Sequence, residues 1–376
     1  MADISDYAPL FNGWNIGNLL GVGGFGEVYE IQKETFGITQ RSAIKRISIS
    51  NERLSKDPKL LERVRTEIQT MIDMKGANHI VSIEEFDIID WKKGSGRDIL
   101  IRMELLTGLE TIVAKKPLGF KETAELGIHI CLVLELCEKR DIIHRDIKPA
   151  NIFWSETGGY KLGDFGIART LSDGKASTRI GTVEFMAPEV IGFRKYDNRA
   201  DIYSLGITLY YLLNKNRIPF EGDDTDESPI VRRMDGEALP TLHNVPNGLM
   251  QIILKACAHK PQDRYMNAAE MRQALETCPM DISLIRRDSP SPSVAPIPKK
   301  APVKKAPEIP KTPVSIDECY NKGQNYHYGR GVAKDYALAA EWYRKGAEQG
   351  DPRAQCNLGF LYSKGYGVAQ DFKLAV

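Results

Sequence analysis

His144-Arg145-Asp146-Ile147-Lys148-Pro149-Ala150-Asn151, with Asp164-Phe165-Gly166 starting 13 residues after Asn151, decides how this chain of 376 residues is read. An acid, a lysine, an asparagine and a second acid fall within about one supersecondary unit. Asp146 is placed to accept a hydroxyl proton and Lys148 to steady the charge on a γ-phosphate. Asn151 and Asp164 are placed to hold magnesium that bridges phosphates. Phosphoryl transfer asks for positioning and charge neutralisation more than for covalent chemistry from the protein. A lone Asp-x-x-x-x-Asn would be a weak signal; the ordered run with Asp-Phe-Gly behind it is a strong one. His144 reads as a packing residue rather than the general base.

Upstream, Gly21-Val22-Gly23-Gly24-Phe25-Gly26-Glu27-Val28 lies between two expected strands, 14–20 and 27–31. A dinucleotide-binding fingerprint wants a helix after its glycines. A strand-loop-strand glycine turn instead suits backbone N–H groups folded over ATP phosphates. Ala43-Ile44-Lys45 sits on the next strand, 42–47. A lysine behind apolar residues on an inner strand needs a counter-charge, and Glu67 can supply it. Leu60, Leu61, Val64, Ile68, Met71 and Ile72 recur at three- and four-residue spacing, which predicts an amphipathic helix over 58–75 carrying Glu67. The pair would hold Lys45 against the α- and β-phosphates.

Further strands are expected at 80–90 and 99–105, separated by Gly94-Ser95-Gly96. Residues 106–280 read as mainly helical, and 121–139 and 201–213 are apolar around so much of their circumference that both helices should be buried. The fold class is therefore α+β: a small strand-rich lobe, a hinge near 104–108, and a larger helical lobe.

Bulk numbers exclude several classes. A net charge of +1 provides no global field for nucleic acid or an anionic membrane. The six cysteines form no C-x-x-C pair, so neither a disulfide framework nor a metal site is indicated. The acidic, polar start Met1-Ala2-Asp3-Ile4-Ser5-Asp6 is unlike a signal peptide. No apolar run approaches about 18 residues, so no membrane span is expected.

Composition shifts over 281–314, where proline alternates with Ser, Ala, Val, Ile and Lys. Such a stretch cannot bury a core and reads as a disordered, semi-rigid linker, with Lys299-Lys300 and Lys304-Lys305 making it basic. A repeat follows over 318–376. Asn321, Gly323, Tyr326, Gly329, Gly331, Asp335 and Leu338 recur as Asn357, Gly359, Tyr362, Gly365, Gly367, Asp371 and Leu374, always 36 residues on. That period marks helix-pair solenoids, whose units bury their faces only against neighbours. The glycines are expected to allow a tight turn between the helices. The second copy stops at Val376, before its second helix, so the chain is expected to be a fragment or a gene product cut short, with a poorly ordered end.

With these motifs in order, and with Ala187-Pro188-Glu189 beyond them, residues 14–278 resemble the eukaryotic-type protein kinases. The resemblance implies a two-lobed fold and ATP with Mg2+ as cofactors, Mn2+ being an alternative metal. It implies nucleotide contacts from Gly21, Val22, Gly23, Gly24, Phe25, Gly26, Val28, Ala43, Lys45 and Glu67. Met103 falls at the gatekeeper position, and Glu104 to Leu106 at the adenine-binding hinge. It assigns Asp146, Lys148 and Asn151 to catalysis, and Asn151 and Asp164 to the metal. It also implies that Asp201 braces the backbone of 144–146 and that Arg264 pairs with Glu189.

Lys148, together with Gly181-Thr182, resembles the serine/threonine branch, and Arg145 resembles kinases controlled by a phosphate on the activation loop. Ser177 and Thr178 are the favoured sites for that phosphate. The 36-residue unit resembles the Sel-one-like repeat, a relative of tetratricopeptide repeats and an interaction surface. Together these imply a cytoplasmic, bacterial signalling kinase. It would autophosphorylate, act on protein Ser and Thr, and bind protein partners through its repeats. It would need neither nucleic acid nor a membrane span, and it could form a transient homodimer. The alternative is a pseudokinase or scaffold acting through the repeats. Against it stand Lys45, Asp146 and Asp164, which pseudokinases usually lose. A small-molecule kinase is disfavoured by the intact segment from Gly181 to Glu189.

Overall fold

The structure is a computed structural model. It describes residues 4–11, 13–23, 26–91, 95–165, 183–192, 194–223, 228–279, 315–328, 332–369, 371 and 374. The chain divides into two compact units, 1–177 with 267–276 and 178–266 with 277–376.

The first unit begins with a five-stranded antiparallel sheet in the order β1-β2-β3-β5-β4. Its strands are β1 (Asn15–Gly23), β2 (Gly26–Thr35), β3 (Ile38–Ser50), β4 (Ile83–Asp90) and β5 (Gly96–Met103). Side chains alternate across a strand, so Ala43 and Lys45 share one face of β3 while Ile44 takes the other. The Ile44 face is covered by the N-terminal segment, whose acidic, polar opening gives no hint of it. Ile4, Tyr7, Leu10 and Trp14 pack there on Ile31, Ile44 and Leu100.

Beneath that cover Asp98 is fully buried and saturated. Its Oδ1 accepts from Ser48 at 2.6 Å and from Trp91 Nε1 at 2.8 Å. Its Oδ2 accepts from Tyr7 and from Arg46 Nε, both at 2.9 Å. Burial pushes this carboxyl up, but the bonds from Ser48, Trp91, Arg46 and Tyr7 outweigh it and hold the group below the ordinary carboxylate range.

Helix α1 (Asn51–Lys56) was not anticipated; Ser50 caps it by accepting from Arg53 N at 3.3 Å. Helix α2 (Leu60–Asp73) falls inside the expected 58–75 and buries Leu60, Val64, Ile68 and Met71 of the periodic set, with Leu61 and Ile72 half-buried. After β6 (Thr107–Gly108) come α3 (Leu109–Lys115) and α4 (Phe120–Glu138), the latter apolar on nearly all sides as expected. A 3-10 turn (Pro149–Asn151) leads into the hairpin of β7 (Ile152–Ser155) and β8 (Gly159–Leu162).

In the second unit a 3-10 turn (Val183–Phe185) precedes α5 (Pro188–Ile191), α6 (Arg199–Leu213), α7 (Pro229–Met234) and α8 (Asn247–Ala256). Helix α6 is buried almost all round, Asp201 included. Gly206 is required there, because a Cβ would sit 2.6 Å from Cys257 Sγ on the neighbouring helix end. Helix α9 (Ala268–Thr277) lies mostly in the first unit, where Arg272 Nε donates to Glu135 at 2.6 Å and Glu138 accepts from Ala268 N at 3.0 Å.

The repeats form α10 (Ile316–Tyr328), α11 (Tyr336–Glu348) and α12 (Pro352–Lys364). Asp335 and Asp351 cap the last two, each accepting from two backbone N–H groups. Gly323 does not serve a turn, as the spacing suggested. It lies inside α10, where a Cβ would meet the Tyr343 ring at 2.5 Å, so its role is close helix approach. Gly329 and Gly331 lie outside the described residues. Among the described residues no helix is long and apolar enough to cross a membrane.

Candidate active site

The candidate site lies wholly in the first unit. Strand register sets its upper wall. Val28 pairs with Lys45, and Ala43 with Met103, so these side chains share one face of the sheet. Gly23 and Gly26 close the β1–β2 turn; Gly26 sits at φ +133° with Arg46 O 1.8 Å from where a Cβ would be. Only glycine fits that combination. Gly21 opens onto free space, and Val22 is exposed. Gly24 and Phe25 lie outside the described residues.

Lys45 is 5% exposed, and its Nζ pairs with the Asp164 carboxylate. The sequence pointed to Glu67 as its partner. That side chain lies outside the described residues, and the counter-charge the structure shows is Asp164. Asp164 sits in left-handed backbone, φ +57°. Its burial raises the pKa, but Lys45 chiefly, then His144 and Lys148, hold the carboxyl below its ordinary range.

The 144–151 loop is built around Asp146. Lys148 Nζ lies 3.0 Å from its Oδ2. Asn151 Nδ2 donates to the Asp146 carbonyl at 2.7 Å and to Oδ2 at 2.8 Å. Asp146 Oδ1 is buried and accepts from no described residue. This oxygen therefore keeps an unused acceptor among the described residues. His144 is 1% exposed; its Nε2 lies 3.1 Å from Gly163 O and its ring meets Phe165 edge-on at 4.7 Å. It packs, as expected. Arg145 is exposed in left-handed backbone at φ +69°. Gly166, Ser177, Thr178, Gly181 and Thr182 lie outside the described residues, so the phosphate-dependent ordering of the loop does too.

Asn151 Nδ2 donates to Asp146, so its Oδ1 is the atom it could offer to a metal. With the Asp164 carboxylate it offers hard oxygens of the kind magnesium takes, completed by phosphate and water. Among the described residues no three His, Cys, Asp or Glu side chains are gathered for a metal. A magnesium ion that arrives with a nucleotide needs no such cage, so these residues fit it.

Met103, Glu104 and Leu106 are half-buried at the end of β5. The Glu104 side chain is engaged within the protein. Its carboxylate accepts from Lys161 Nζ at 2.8 and 2.7 Å and from Ser82 N at 2.7 Å. Its backbone is thus the part left for a ligand at the hinge, while Lys161, which the sequence reading missed, anchors the carboxylate. No spacing rule announces Lys161, since the pair spans 57 residues.

Within the second unit, Arg264 forks onto Glu189, Nη1 to Oε1 at 2.6 Å and Nη2 to Oε2 at 2.8 Å, both side chains buried. This is the pair the resemblance implied.

The protein kinase domain family matches residues 14–277, and the Sel1 repeat matches 319–351 and 352–376. The chain is similar to the serine/threonine-protein kinase PknB of Mycobacterium leprae, 32% identical over 293 residues, covering 75% of this chain and 44% of that protein. The PknB of Mycobacterium tuberculosis is 32% identical over 278 residues, with 70% and 42% covered. The probable serine/threonine-protein kinase SCO3848 of Streptomyces coelicolor is 32% identical over 282 residues, with 70% and 40% covered. The chain thus spans less than half the length of these curated relatives.

Proposed function

The chain belongs to the protein kinase family, and from that premise we propose that it transfers the ATP γ-phosphoryl group to Ser and Thr hydroxyls of proteins, itself included. The observation that carries this reading is Asp146: fixed through Oδ2 by Lys148 and Asn151, with Oδ1 buried and accepting from no described residue. A substrate hydroxyl donating to this carboxylate would surrender its proton there as its oxygen bonds to the γ-phosphorus and the bond from that phosphorus to ADP breaks. Lys148, already beside the carboxylate, faces the charge that develops on the transferred group. Lys45 is the cation for the α- and β-phosphates, and Asp164 its resting partner. Asn151 and Asp164 are the residues for magnesium, which when bound neutralises phosphate charge. Gly21, Val22, Gly23, Gly26 and Val28 would cover the nucleotide, with Ala43 and Met103 lining its base and the 104–106 backbone meeting the purine edge.

The functional division is a kinase domain at 14–278, a linker at 281–314 and repeats at 318–376. The repeats would bind protein partners. A scaffold reading rests on them alone and leaves Lys45, Asp146, Lys148, Asn151 and Asp164 assembled for nothing. The test is labelled-phosphate incorporation with ATP and Mg2+ into the chain and a general protein acceptor, wild type against Asp146→Asn. Incorporation confined to wild type supports the enzyme. Equal incorporation removes Asp146 from its role, and none in either supports the scaffold.

A further inference from the structure

Val231, on the six-residue helix α7, has 0% of its surface exposed. So short a helix cannot bury a side chain by itself. The apolar cluster that Val231 joins otherwise consists of Cys319, Tyr320, Tyr326, Ala339, Ala340, Trp342, Tyr343, Ala354 and Leu361, all from the repeats. A residue of the kinase-family region has therefore become a core residue of the repeat block, and α7 and α12 are in contact.

Polar groups fix the same junction at its rim. Tyr320 donates its hydroxyl to Asp235 Oδ2 at 3.1 Å, Gln324 Nε2 reaches the same oxygen at 3.4 Å, and Gln324 also donates to Tyr320 at 2.7 Å. Asp235 is the residue that ends α7. The Tyr320 ring is held in turn by Arg353, whose guanidinium lies 4.4 Å from the ring centroid while it pairs with Asp317 at 2.6 Å and Asp351 at 2.8 Å. An apolar centre with a polar rim whose groups are themselves braced is the anatomy of a specific interface.

The opposite side of α7 is committed elsewhere. Residues two apart on a helix point to nearly opposite faces. Arg233, 2% exposed, extends its Nη2 to the carbonyl of Val183 at 3.3 Å. The Arg233 carbonyl lies 3.2 Å from His259 Nδ1. Arg232 stacks on Phe220 at 3.9 Å and pairs with Asp223 at 2.7 Å. One short helix thus touches the repeats through Val231 and Asp235 and the 183–185 turn through Arg233.

We propose that the repeats of this chain seat on α7 of its own kinase-family region, so that whatever draws the repeats away also loosens the 183–190 segment. The seat does not depend on any activity. Its consequence for acceptor binding deepens the kinase reading, because 183–189 belongs to the segment ending in Ala187-Pro188-Glu189 whose intactness favours a protein acceptor. The occupant is this chain's own repeat block rather than a second copy. The stretch 281–314 reaches about 110 Å if extended, and a tether of that kind holds its two ends at an effective concentration of about a millimolar. A modest interface is therefore filled from within the chain before another molecule competes.

Hydrogen exchange followed by mass spectrometry on the full chain tests this without reference to turnover. Wild type is compared with Val231→Asp at two protein concentrations tenfold apart. The seat predicts that 229–236 and 316–328 exchange about tenfold faster in the variant, that 183–190 follows, and that 199–213 keeps wild-type protection. Unchanged exchange at 316–328 overturns the seat; unchanged exchange at 183–190 with the other two loosened overturns the coupling. Wild-type protection of 316–328 that falls on dilution overturns the choice of an intrachain occupant. If 199–213 also loosens, the variant has unfolded, and Asp235→Lys, at the exposed rim, decides by the same readings with a smaller change. A chain that shows the seat but incorporates no phosphate refutes the kinase reading and leaves this one standing.

Discussion

Asn151 donates both to the backbone carbonyl of Asp146, at 2.7 Å, and to its carboxylate, at 2.8 Å. One amide therefore sets the height of the loop and the rotation of the acid. Asn151→Ala should lower kcat by about a hundredfold or more, because the base loses its orientation. The Mg2+ concentration needed for half-maximal rate should also rise, because one oxygen ligand is gone. A rate and Mg2+ titration on purified variant and wild type checks both; an unchanged Mg2+ requirement would remove Asn151 from the metal.

Lys161 and Glu104 predict a hinge defect. Lys161→Met leaves a largely buried carboxylate held only by Ser82 N. Loss of a charged hydrogen-bond partner at such a site costs about 1–3 kcal/mol. Thermal or urea unfolding should show that loss, and the KM for ATP should rise more than kcat falls. In the double variant with Glu104→Gln, the second change should cost less than it does alone, since the pair is coupled.

Arg264 and Glu189 form a buried fork. Breaking such a pair from one side leaves an uncompensated buried charge and costs about 3–5 kcal/mol. Arg264→Leu and Glu189→Leu should each destabilise strongly, while the double replacement should recover part of the loss. Urea unfolding of the three variants measures it.

Asp98 predicts a pH dependence. Its folded pKa is depressed, so the stability it contributes is fully present above the ordinary aspartate value of about 3.9 and is lost as pH falls through the lower folded value. Asp98→Asn should therefore be less stable than wild type by a constant margin from about pH 5 to 8. The margin should shrink below about pH 4, as the wild-type carboxyl takes up its proton. Unfolding curves at several pH values read this directly; a margin that grows in acid would contradict the assignment.

How far the sequence could be read follows from the range of each interaction. The 144–151 loop was legible because its chemistry is local: Asp146, Lys148 and Asn151 meet within five residues. Most strands and helices of 15–139, α1 and the short β6 excepted, were legible from periodicity, with ends displaced by a few residues, as for β3, expected at 42–47 and found at 38–50. The cover formed by Ile4, Tyr7, Leu10 and Trp14 was not legible, although its apolar residues recur every three or four positions, because Asp3 and Asp6 make the opening residues acidic and polar. The Lys45–Asp164 pair, the Lys161–Glu104 anchor and the burial of Val231 were illegible for a different reason. Each joins residues far apart in the chain, and only the folded backbone brings them together.

The central claim is that Asp146 accepts the proton of a protein hydroxyl during transfer from ATP. Intact-mass and site mapping after incubation with ATP and Mg2+, wild type beside Asp146→Asn, tests it most directly. The expected result is phosphate on Ser or Thr in wild type, Ser177 or Thr178 foremost, with the rate lowered about a hundredfold or more in the variant. Equal incorporation in both, or phosphate in neither while ATP binds, would contradict the claim.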